Sequence, residues 1–245
     1  QTFSNSPNCV WERSLIRGPM WRPFEISASR VKFLLQSCLV CVGDEPVLTL
    51  NHTTSRGGTS PGADQGELKK RDLAFADSLV LCQGTPLTFT NTTREVSVPP
   101  TQLRMNRTSF VARTQSAETP FLRIIEWPEN VLATAGNGKL SQINWISENS
   151  QFAGWSRRLQ ATANKTRTAF EAMDDQAWQE FWGNPGLTGS WNAKGLADVP
   201  RGSLEFADIA SLRKLGLALA ALPGDETLQQ LEQLKPPLLP EQSWR

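Results

Sequence analysis

Two stretches of this chain read alike when set 40 residues apart. Leu39-Val40, Pro46-Val47 and Asn51-His52-Thr53 recur as Leu79-Val80, Pro86-Leu87 and Asn91-Thr92-Thr93, with no gap. Each copy is an apolar segment, a Gly/Pro turn, a short second strand and then Asn-x-Thr, the order expected of paired β-hairpins. Parity limits the repeat. Leu48 and Leu50 align with Thr88 and Thr90, and side chains in a strand alternate between faces, so the copies are not expected to share one core. The repeat therefore reads as two similar turns rather than a duplicated domain.

The chain up to about Ser147 is strand-like. Short apolar or β-branched segments near Val10–Ile16, Trp21–Ile26, Val47–Leu50, Leu79–Cys82, Leu87–Thr90, Leu103–Arg113, Phe121–Trp127 and Leu140–Ile146 are separated by Gly, Pro, Asn or Ser. Val31–Val42 fits a strand, which the repeat favours. It also fits a helix between Ser29 and Gly43, with Val31, Leu34, Leu35, Cys38, Leu39 and Val42 on one side. Ser55 to Asp72 is a polar, Gly-rich stretch with a Lys69-Lys70-Arg71 run, expected as a long loop.

After Asn149 the period changes. Phe152, Trp155, Leu159, Ala163, Thr166, Phe170 and Met173 recur at steps of three and four, predicting an amphipathic helix. A short helix follows over Asp174–Trp182. Leu204–Leu222 predicts another, with Phe206, Ile209, Leu212, Leu215, Leu219 and Leu222 on one side. Asp225 caps a last short one, and Pro236-Pro237-Leu238-Leu239-Pro240 is expected to lie extended. The expected fold class is α+β: an antiparallel β-sandwich-like part over residues 1–147, then a Trp-rich α-helical part over 148–245.

Composition narrows the chemistry. With 25 basic and 24 acidic side chains the net charge is +1, so no strong field draws the chain to nucleic acid. No apolar run approaches the roughly 20 residues needed to span a bilayer as a helix. The only histidine, His52, limits His-based acid–base chemistry and excludes multi-His metal centres. Gly58-Thr59-Ser60-Pro61-Gly62 has the spacing of a nucleophile elbow, but Pro61 lacks the N–H that an oxyanion hole needs. Gly136-Asn137-Gly138-Lys139-Leu140 lacks the first Gly and the Ser/Thr of a phosphate loop.

Cys38-Leu39-Val40-Cys41 has redox or metal-site spacing, without the turn that would lower a thiol pKa. The expectation for the four cysteines is disulfides: Cys41–Cys82 between the copies, leaving Cys9–Cys38. Asn51, Asn91, Asn106 and Asn164 head Asn-x-Thr sequons. These sequons and the start at Gln1, as a removed signal peptide would leave, point to an extracytoplasmic protein.

Nine Trp and no Tyr is an unusual balance, and six Trp fall between Trp127 and Trp191. They are expected between the two halves or on a docking surface. The turn and strand of Val42-Gly43-Asp44-Glu45-Pro46-Val47-Leu48-Thr49 and Gln83-Gly84-Thr85-Pro86-Leu87-Thr88-Phe89 resemble, generically, those of immunoglobulin-like and cupredoxin-like sandwiches. No copper follows, because the His ligands are missing.

The function expected is a non-enzymatic structural or interaction subunit of a larger extracytoplasmic assembly, such as a surface filament or membrane-associated complex. It would use no cofactor, and other protein subunits would be its partners. Trp178, Trp182, Trp191 and the tail Pro236, Pro237, Leu238 and Leu239 are the candidate contacts. One alternative is a carbohydrate-binding module or carboxylate glycosidase around Trp178, Trp182 and Trp191, with Glu171, Asp174, Asp175 and Glu180 nearby. Another is a Cys-based zinc or redox protein.

Overall fold

In a computed structural model of the chain, the structure describes residues 8–18, 22–28, 30–52, 70–91, 100–127, 142–163, 167–172, 174–182 and 188–192. Fourteen strands and one helix are found there. The strands are β1 (Asn8–Glu12), β2 (Leu15–Gly18), β3 (Phe24–Ile26), β4 (Val31–Gln36), β5 (Leu39–Val42), β6 (Leu48–His52), β7 (Arg71–Ala76), β8 (Leu79–Cys82), β9 (Leu87–Asn91), β10 (Thr101–Asn106), β11 (Ser109–Trp127), β12 (Ile143–Ala163), β13 (Arg167–Ala172) and β14 (Thr188–Asn192). The helix, α1, spans Asp175–Trp182.

The pairing is parallel and recurs every third strand. β1-β4-β7-β10-β12 form one column, β2-β5-β8-β11-β12 a second and β3-β6-β9-β11-β12 a third. A chain whose every third strand stacks in register on its predecessor is a coil: the sheet curls on itself as successive three-strand turns, the topology of a parallel β-solenoid. This corrects the antiparallel sandwich. Among the described residues only β13 pairs antiparallel, on β12.

The corner between the first and second columns explains the coil. Arg13, Ser37, Asp77, Arg107 and Asn149 all have φ between 48° and 53°, so each coil turns through one left-handed residue. The ladder runs on through the bend. Leu39 N–H donates to Ser14 O (3.0 Å), Leu79 to Cys38 O (2.9 Å), Ser109 to Ser78 O (2.9 Å) and Gln151 to Thr108 O (3.0 Å). The next side chain is small and polar. Ser14, Ser78, Thr108 and Ser150 each donate to the carbonyl two residues back. Ser78 and Ser150 also accept the N–H of Cys38 and Thr108 in the preceding coil, at 3.1 and 3.2 Å. Buried backbone groups at the bend are thereby satisfied.

The interior is a column of side chains stacked along the coil axis. Phe24, Phe33, Phe75, Phe110 and Phe152 follow one another with centroid separations of 4.9, 5.7, 5.4 and 5.9 Å. Val31, Leu35, Leu73, Leu103, Val40, Val80, Leu48, Leu87 and Leu122 fill the space around them. Val31–Val42 is thus two strands bent at Ser37, not a helix.

The expected helix over Phe152–Met173 is overturned too: its described residues, 152–163 and 167–172, form the end of β12 and β13. β12 bends at Asn149 and again at Gly154 (φ 93°). Each bend resets which residues point inward, so Phe152, Trp155 and Leu159 mimic helical spacing while lying on strands. β12 also runs through position 147, where the two halves were expected to meet. The expected helix over Asp174–Trp182 is found as α1, whereas Leu204–Leu222 and the tail 236–240 lie outside the described residues. No helix among the described residues is long and apolar enough to cross a membrane.

Candidate functional site

The connections from the third column back to the first leave at a single corner. Residues 27–30, 53–70, 92–100 and 128–142 all lie between a third-column strand and the next first-column strand. Their lengths differ widely, and this accounts for the unequal coils. Side chains at the root of the longest connection form a polar cluster.

Arg71 opens β7 at a position stacked between Val31 and Thr101, so it points inward and is 1 % exposed. Its Nε donates to Ala28 O (2.7 Å), and Nη2 reaches Asn51 O (3.4 Å) and His52 Nδ1 (3.3 Å). Arg can only donate, so Nδ1 of His52 is the acceptor. These three partners are neutral, and desolvation lowers the guanidinium pKa to about 10. Asn51 Nδ2 donates to Glu25 Oε1 (2.7 Å), and Thr90 Oγ1 donates to Asn51 Oδ1. One buried cation therefore ties together the chain before β4, the end of β6 and the start of β7. The cluster is a clamp that fixes where 53–70 departs and returns.

The predicted sites are scattered over the coil. No disulfide joins any of the four cysteines, which corrects the disulfide expectation. Cys41 stands beside Leu81, not Cys82, so alternation sends Cys41 to the outer face and Cys82 to the interior. Cys9 stands beside Phe33 and accepts from Trp11 Nε1 at 3.2 Å. Cys38 donates to Gln36 O (3.2 Å) and Trp11 O (3.4 Å). Burial raises the pKa of Cys38 and of Cys82, the opposite of what a reactive thiolate requires. No group of three or more metal-competent His, Cys, Asp or Glu side chains occurs among the described residues.

The tryptophans close the far end of the coil. α1 begins where Asp174 Oδ1 caps the N–H of Ala177 (2.8 Å). It turns Trp178 and Trp182 onto Trp145, at 5.0 and 5.3 Å between centroids. Trp191 on β14 stacks on Phe152 at 4.6 Å, and the Arg158 guanidinium lies 4.8 Å over its ring. Trp178 and Trp182 are buried, so their faces are taken by other rings rather than offered to a sugar or a partner. Asp175 pairs with Arg158, and Glu171 approaches Arg157 at 3.8 Å.

Of the sequons, Asn91 is buried, Asn51 is half-buried with its amide engaged, and Asn106 is exposed. Asn164 and the tail residues Pro236, Pro237, Leu238 and Leu239 lie outside the described residues. Sequence reasoning missed the Arg71 clamp, because Arg71 stood in a basic run that read as solvated loop. Searches against protein-family models, curated proteins and solved structures gave no match.

Proposed function

We propose that the chain is a non-enzymatic interaction module of an extracytoplasmic assembly, in which a rigid coil carries the inserted segments that neighbouring subunits contact. The observation that carries this is the single corner from which every long insertion leaves. In a solenoid each coil contacts only its neighbours, and insertions collected on one side make a binding face that varies while the core does not. The Arg71 clamp anchors the largest insertion, and the aromatic column makes its platform rigid. The exposed Asn106 sequon supports the extracytoplasmic placement.

The test replaces residues 55–68 of the full chain with a short Gly-Ser link. Assembly is read as the mass of the particle gently extracted from the source cells, and folding as the thermal unfolding of the purified chain. A smaller particle with unchanged unfolding is the expected result. An unchanged particle would refute the loop's role.

A further inference from the structure

The inward side chains at the loop corner form one buried polar layer. His52 ends β6 on the same face as the core residues Leu48 and Leu50, and it is 5 % exposed. Asn91 stands beside it on β9, while Arg71 and Thr101 stand beside each other on β7 and β10, and all three are buried. Arg71 Nη2 lies 3.3 Å from His52 Nδ1. A guanidinium only donates, so Nδ1 is the unprotonated nitrogen and the ring proton sits on Nε2. A second proton would land on Nδ1. It would remove the acceptor and set two cations 3.3 Å apart in a site withdrawn from water.

We propose that His52 makes this corner acid-sensitive: neutral, it completes the Arg71 clamp, and protonated, it breaks the clamp at the ends of β6 and β7. The charged groups on the described elements packed there agree with this. Arg71 touches the ring, and Arg30, Lys32 and Lys70 beside it in the fold are also cations. The carboxylates, Glu25 on β3 and Asp72 on β7, alternate with inward residues and so point outward, where Asn51 and Arg104 engage them. The folded ring therefore resists the proton that the unfolded ring takes at about pH 6.5. The contribution of His52 is complete above that pH and is lost below it. The folding constant drops by up to about tenfold per pH unit until the folded ring is protonated too. This device belongs to the fold and does not depend on what the insertions contact.

His52 is the only histidine in the chain, so NMR of the full protein reads its ring without overlap. At neutral pH the ring nitrogen shifts should report a proton on Nε2, and the titration midpoint should lie about one unit or more below the ordinary value of about 6.5. In Arg71→Met the midpoint should rise by about half a unit or more as the cation leaves. If that variant does not fold, His52→Asn decides, because its amide oxygen can replace Nδ1 as acceptor but cannot titrate. Between about pH 7.5 and about pH 5 the urea midpoint of the native chain should then fall further than that of His52→Asn. A proton on Nδ1, a native midpoint at or above about 6.5, a midpoint unmoved in Arg71→Met, or parallel urea profiles for the native chain and His52→Asn would each overturn the proposal.

Discussion

Phe75 is a sensitive probe of the coil, because in this fold its ring stands midway along the interior column. It is 1 % exposed, 5.7 Å from Phe33 in the coil before and 5.4 Å from Phe110 in the coil after. A buried Phe withdraws about 150–250 Å² from water. At roughly 25 cal/mol per Å² that is an upper bound of about 4–6 kcal/mol. Truncation to Ala keeps part of that burial but opens a cavity, and measured Phe→Ala losses of about 3–5 kcal/mol bracket the result.

We expect Phe75→Ala to lose about 4 kcal/mol in urea unfolding followed by Trp fluorescence, with the m value unchanged. In thermal unfolding this is about 8–16 °C for a chain of this size. The control is its neighbour Ala74, which alternation turns outward. Ala74→Ser should stay within about 0.5 kcal/mol. A loss below about 1 kcal/mol for Phe75→Ala, or comparable losses at both positions, would refute the stacked column.

Three further outcomes follow from the structure. Gly154 has φ 93°, and a Cβ there would lie 2.6 Å from Ala112 Cβ. Gly154→Ala should therefore cost about 2–4 kcal/mol from backbone strain and overpacking together, and a neutral result in urea unfolding would contradict the close approach. Arg71→Met should cost about 2–3 kcal/mol by leaving three acceptors without their donor, and Arg71→Lys should not restore it, since an ammonium cannot fork to all three. A neutral or stabilised Arg71→Met would remove the clamp from the account. The raised thiol pKa values of Cys38 and Cys82 mean that the folded state holds these protons more tightly than the unfolded state. Their contribution is complete below the ordinary thiol pKa and is lost as pH rises through the folded values. The urea midpoint should accordingly fall above about pH 9, and less so in Cys82→Val. Identical alkaline profiles would contradict the assignment.

The repeat at an offset of 40 is real, but it is one turn of a coil rather than a pair of hairpins. Strand order leaves no mark on a single sequence, so Leu39-Val40 beside Leu79-Val80 is compatible with either. The parity objection came from one residue. Leu39 stacks on Leu79 at an offset of 40, whereas Leu48 stacks on Leu87 at 39, because the link 83–86 is one residue shorter than 43–47. Once that residue is removed, Leu48 and Leu50 meet Leu87 and Phe89 in one core.

The other coils were hidden by unequal insertions at the loop corner, which erase a fixed period. A subtler signal was present: a polar residue followed by Ser, Cys or Thr at Arg13-Ser14, Ser37-Cys38, Asp77-Ser78, Arg107-Thr108 and Asn149-Ser150. The α1 helix was legible because Asp174 caps an apolar face of Trp178, Phe181 and Trp182. The role of those rings was not, since burial depends on neighbours far away in sequence.

Parallel register is the central claim, and cross-strand amide-to-Hα NOEs on the protonated, isotope-labelled chain test it most directly. Such contacts should link Leu15 with Leu39, Leu39 with Leu79, Leu79 with Ser109 and Ser109 with Gln151, at separations of 24, 40, 30 and 42 residues. Each series should advance in the same direction along both strands. Close Hα–Hα pairs that advance in opposite directions between β5 and β8 would show antiparallel hairpins and contradict the coil.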